Sequence, residues 1–172
     1  MQSRTIFAAI TGTALVLGAG TGSSRPVEGG RPSAPPNDAC ALLTQAEVSA
    51  VLGVSVGAGQ RLVPTNPSIC GWDQPSDTTH SGKRVVVSIY VPLGSLTPTD
   101  RFNNAKKPMQ GITKTPVSGV GDDAISVTTP GFGTGLIFKK GNSAFDVRVY
   151  GFSNEETKAK EKALALDVIA KL

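Results

Sequence analysis

Between residues 121 and 152 the sequence reads GDDAISVTTPGFGTGLIFKKGNSAFDVRVYGF, and this stretch constrains the fold more than any other. Three runs of strand-forming residues, 121–129, 134–141 and 143–152, follow one another with only PGFG and KGNS as linkers. Links that short, built from Pro, Gly, Asn and Ser, are hairpin chemistry, so the spacing predicts an antiparallel meander. Upstream, KRVVVSIYVPLG (83–94) alternates Val85, Val87, Ile89 and Val91 with Val86, Ser88 and Tyr90 before Pro92. Such a period of two is a strand with one buried face, and the first set is expected to be that face. VSVGAGQRLV (54–63) reads as a strand bent or bulged by its glycines, and SICGWDQ (68–74) as a short strand after a turn over Pro64–Pro67.

Helical signals flank these strands. In LLTQAEVSAVLG, Thr44 and Glu47 form a capping box, Val48, Val51 and Leu52 share a face, and Gly53 supplies a left-handed stop. TPTDRFNNAKKP (97–108) has a capping Thr97, Pro98 at the first helical position and Pro108 as terminator. The last segment, SNEETKAKEKALALDVIAKL, opens with a second capping box, Ser153 and Glu156. Ala159, Ala163, Leu166, Ile169 and Ala170 recur there at helical spacing, widened by Leu164 and Val168. The expected architecture is α+β: an antiparallel sheet of about five strands packed by an N-terminal and a C-terminal helix.

Before this domain, MQSRTIFAAITGTALVLGAGTGSS carries one basic residue, Arg4, then an apolar run from Ile6 to Leu17, then small residues. That is the pattern of a secretory signal peptide over residues 1–24. The run is too short to cross a bilayer, which takes roughly 20 apolar residues, so any membrane attachment would be through an uncleaved signal segment. Thr21 stands where a lipoprotein signal has its lipidated cysteine, and cleavage by an ordinary signal peptidase near residues 20–24 is expected. Residues 25–38, RPVEGGRPSAPPND, have no aliphatic cluster with which to offset ordering entropy and read as a disordered linker. Residues 39–172 are then a single domain.

Export makes the two cysteines informative. Cys40 and Cys70 are the only ones, and two thiols in an oxidising compartment are expected to form one disulfide. A redox pair is normally spaced C-x-x-C, and a zinc site needs four ligands where the chain offers two cysteines and the single His80. If residues 69–73 are extended, Cys70 and Trp72 project from one face. Trp72 is then expected beside the bridge in the core, with Asp73 facing the other way.

The charge argues against a nucleic-acid partner. Of 17 basic and 13 acidic residues, Arg4, Arg25, Arg31 and Glu28 precede residue 37, leaving 14 against 12 and a net charge of +2. The lysines are dispersed without an aromatic platform. Candidate chemistry is sparse. PGFGTG (130–135) lies between two strands, where a turn rather than a phosphate loop is expected. Asp122 and Asp123 are adjacent on an extended segment, point to opposite faces and do not converge on one ion. His80 is the only candidate base for a serine hydrolase, no G-x-S-x-G elbow accompanies it, and no catalytic role is expected for it. A carboxylate pair drawn from Asp73, Asp122 and Asp146 needs no local motif and stays open.

The order NDACALLTQAEVSAVLG, CGWD, GVGDDAISV, FKKGNSAFDVRVYG and a terminal helix resembles exported lipoprotein-like proteins of unknown function common in actinobacteria. In that family a cysteine opens the first helix and pairs with one before an aromatic residue. The resemblance covers residues 38–172, and Thr21 departs from it at the lipid-bearing position. It implies a disulfide-stapled fold and brings no catalytic residues with it. The functional expectation is an exported cell-envelope binding or interaction module without catalytic activity, cofactor or metal. Its partner would be an envelope protein or cell-wall component. The alternative is an extracytoplasmic hydrolase that uses a carboxylate pair.

Overall fold

The computed structural model describes residues 37–75 and 82–172; the signal segment, the linker up to residue 36 and the loop containing His80 lie outside the described residues. Three strands, β1 (Gln60–Val63), β2 (Asn66–Asp73) and β3 (Arg84–Ile89), form one meander. Four more, β4 (Thr113–Pro116), β5 (Asp123–Thr129), β6 (Gly133–Lys140) and β7 (Ser143–Tyr150), form a second. β7 lies antiparallel against β3, which joins the meanders into one seven-stranded antiparallel sheet of order β1-β2-β3-β7-β6-β5-β4.

The hairpins follow from their turn residues. Lys140 opposes Ser143 across the two-residue turn Gly141–Asn142, with Gly141 at φ 57°, where a side chain would be strained. The helices also start where their caps are written. In α1 (Gln45–Leu52) the Glu47 N–H donates to Thr44 Oγ1 at 3.2 Å and the Thr44 N–H donates to Glu47 Oε2 at 2.6 Å. In α2 (Pro98–Lys106) Thr97 and Asp100 make the same exchange. At the start of α3 (Asn154–Ile169) the Glu156 carboxylate accepts from both the N–H and the hydroxyl of Ser153.

Alternation along the strands divides the sheet into two faces. One presents Cys70, Trp72, Val85, Val87, Phe138, Phe145, Val147 and Val149, buried against α1, α3 and the short 3-10 turn Ala39–Ala41. Phe138 and Phe145 oppose each other in the β6–β7 register and stack with ring centroids 5.1 Å apart. The second face is covered by α2 only over part of its area, where Phe102 packs among Ile125, Val127, Ile137 and Ala144.

The expected α+β class holds, but the sheet has seven strands among the described residues instead of about five. β4 escaped the sequence because TKTP has no apolar alternation and is half-buried only at Lys114; its pairing with β5 makes it a strand. Within 54–63 only Gln60–Val63 pairs, all four residues being exposed. The preceding glycines form a loop in which the Gly57 N–H donates to Asp73 O at 2.8 Å. Val91 lies past the end of β3 and is exposed, so the buried alternation stops at Ile89. The buried stripe of α3 is Thr157, Glu161, Leu164, Ala165 and Val168, and Leu166 is 44% exposed. The apolar pattern pointed to a neighbouring face because a glutamate occupies the centre of the true one.

Candidate functional site

Cys40 and Cys70 form the disulfide, which ties the turn ahead of α1 to the middle of β2. Closing a loop of this length, with a sequence separation of 30, constrains the unfolded chain by about 3–4 kcal/mol in the entropic account. The bond indicates an oxidising compartment for the folded chain. Trp72 is fully buried on the same face as Cys70, and Asp73 takes the opposite one. Trp72 is therefore core, and it offers no platform to a ligand.

The carboxylates weighed as a catalytic pair do not converge. The Asp122 carboxylate accepts from the Gly141 N–H at 2.7 Å and lies near Lys140 and Lys139; that backbone hydrogen bond, and then the two lysines, hold its pKa low. Asp123 pairs with Lys106 at 2.5 Å. Asp73 and Asp146 share the second face of the sheet, on strands flanking β3, opposite Arg84 and Ser88 respectively. Four residues along a strand and two strand spacings across put them roughly 16 Å apart, beyond the roughly 5–10 Å of glycosidase pairs. His80 falls outside the described residues.

What the structure does assemble is a polar strip on the second face. The even positions of β3 and β7 that oppose the valine core bring Arg84 opposite Tyr150, Val86 opposite Arg148 and Ser88 opposite Asp146. The Arg84 guanidinium lies over the Tyr150 ring, 4.5 Å from its centroid. Arg101, from α2, lies over Tyr90 at 4.6 Å and donates to Val91 O at 2.7 Å. Between these stacks Arg148 Nε donates to Asp146 Oδ2 at 3.1 Å, and the arginine runs flat over Gly135, where a Cβ would meet it at 3.2–3.3 Å. α2 packs on β6 and β7, which leaves this strip without a covering helix over β2 and β3 among the described residues.

The electrostatics follow from burial beside charge. Burial raises the Asp146 carboxyl above its ordinary pKa despite the attraction of Arg148. Burial, and then the charge of Asp146, push the Tyr90 hydroxyl up to about 12. Two buried atoms on the strip, Asp146 Oδ1 and Arg84 Nε, have no hydrogen-bond partner among the described residues. An arginine stacked on an aromatic ring keeps its in-plane N–H donors free to meet a carboxylate or an amide carbonyl. Asp146 Oδ1 can accept in turn. The strip can therefore grip a partner that presents both acceptors and donors.

Sequence reasoning missed this strip although its signal was present. Ser88 of β3, Tyr90 just past its end, and Asp146, Arg148 and Tyr150 of β7 are the polar alternates of the apolar residues used to recognise the strands. No protein-family model matches the chain, and no curated protein or solved structure matches it.

Proposed function

We propose that the chain is an exported, non-catalytic binding or interaction module of the cell envelope, and that the strip formed by Arg84, Tyr150, Arg148, Asp146, Tyr90 and Arg101 is its contact surface. The observation that carries this reading is the pair of arginine–tyrosine stacks flanking a buried carboxylate that retains an unused oxygen. Tyrosine and arginine are the residue types that concentrate binding energy in contact surfaces. The disulfide supports an extracytoplasmic setting. The partner is a cell-wall polymer or an envelope protein with carboxyl and amide groups to present.

Co-sedimentation of the full chain with purified cell-wall sacculi, alongside capture of detergent-extracted envelope proteins, tests the reading. The double variant Arg84→Ala/Tyr150→Ala is expected to lose about ten-fold or more in affinity for whichever partner is retained. Retention that is the same for the variant and the wild type overturns the assignment of the strip. Turnover of wall glycans or esters by the pure protein overturns the non-catalytic reading in favour of the hydrolase.

A further inference from the structure

On the other face of the sheet α3 packs across β6 and β7, and β5 and β4 extend past it. The step between helix and sheet is a groove of about 340 Å³, within the size range of small-molecule sites. Its floor is one cross-strand row: Leu136 of β6 opposes Ser126 of β5, which opposes Thr115 of β4. Ala159 and Val117 line its sides, and Lys158 and Lys162 stand at its rim.

Two polar groups converge inside. Glu161 is 1% exposed, and its carboxyl accepts from Thr134 Oγ1 at 3.2–3.3 Å and from the Val149 N–H at 3.2 Å. Pairing between β6 and β7 ends at Leu136 and Val147, so this carboxyl satisfies backbone where the two strands part. Ser126, 8% exposed, is the second, and its Oγ is buried without a hydrogen-bond partner among the described residues. A buried hydroxyl with no partner costs stability, and a ligand that supplies the missing hydrogen bond recovers that cost. The rim carries a net positive charge: Lys158 pairs with Glu155, which also lines the groove and is 87% exposed, and Lys162 donates to Ser118 O.

We infer that this groove is a second binding site, separate from the strip, for a small hydroxylated carboxylate of monosaccharide size, such as a sugar acid. Its hydroxyls face inward, hydrogen-bonding to Ser126 Oγ and donating to the Glu161 carboxyl. Its carboxylate faces outward to Lys158 and Lys162, and its ring lies on Leu136, Val117 and Ala159. The site goes beyond the proposed contact surface, because no residue of the strip lines it.

Calorimetric titration of the full chain with D-glucuronate, and with D-glucose as the uncharged counterpart, tests the inference. Saturable millimolar binding of glucuronate is expected, with glucose weaker by about ten-fold. Ser126→Ala removes a hydroxyl that has no partner in the free protein, so its thermal midpoint is expected at or above that of wild type while glucuronate affinity falls about ten-fold. Lys158→Ala/Lys162→Ala is expected to abolish the preference over glucose, and Arg84→Ala to change neither. The absence of saturable glucuronate binding, equal affinity in the Ser126→Ala protein, or equal binding of glucose and glucuronate overturns the assignment. Loss of binding in the Arg84→Ala protein overturns the separation of the two sites.

Discussion

Gly59 lies flat against the indole of Trp72, so closely that a Cβ there would sit 2.8 Å from ring atoms Nε1 and Cε2. Both partners are fixed: the tryptophan is fully buried in the core, and the glycine follows the loop pinned by the Gly57–Asp73 hydrogen bond. Gly59→Ala is therefore expected to destabilise by about 1–3 kcal/mol through overpacking. The checks are a lowered urea midpoint and a red shift relative to the blue, acrylamide-resistant emission expected of the buried Trp72 in wild type. Glu161 makes a second prediction at this scale. Burial raises its pKa from 4.5 to about 7, against the hydrogen bonds from Val149 and Thr134. A carboxyl with a raised folded pKa binds its proton more tightly in the native state, so stability is full below about pH 4.5 and falls as pH rises through 7. The loss is about 3 kcal/mol, and it levels off above pH 7. Glu161→Gln cannot ionise, and urea titrations between pH 5 and 8 are expected to show a flatter stability profile than wild type.

Among the elements, β2 is the one most tightly anchored, since it pairs with β1 and β3 and is covalently joined through Cys70 to the turn before α1. Replacing both cysteines by alanine is expected to cost about 3 kcal/mol, read as a lowered thermal midpoint with an unchanged far-ultraviolet spectrum below it. Only the bridge is lost, because the strand pairings do not depend on it. The elements most legible in the sequence were those whose signals are local: the three caps, the C-terminal meander and the alternation of β3. β4 was illegible because its four residues are held by β5 and carry no pattern of their own. The orientation of α3 was misread because Glu161 satisfies the Val149 N–H of the preceding strand, a tertiary contact that helical periodicity does not encode. For the same reason the strip could be read as polar but not as a constellation, since only the β3–β7 pairing brings Arg84 and Tyr150 together.

At the scale of the whole molecule, chain order and spatial order differ at one seam. β3 and β7 pair although α2 and three strands intervene in the sequence, so the sheet is completed by a contact of long sequence separation. α1 and α3 then lock across it: Lys171 meets Glu47 at 2.6 Å, and Lys160 Nζ donates to Val51 O at 2.8 Å. This topology sends the two shortest strands, β1 and β4, to the outside. Each offers a neighbouring chain four residues at most, each carries a cation, Arg61 or Lys114, and a proline stands at the end of each, Pro64 just past β1 and Pro116 within β4. An exposed edge is a template for strand addition, and short, charged, proline-ended edges defeat it. The long apolar strands that would polymerise most readily are enclosed between these guards. A chain crowded among its own copies can thus keep its sheet from growing into a fibre.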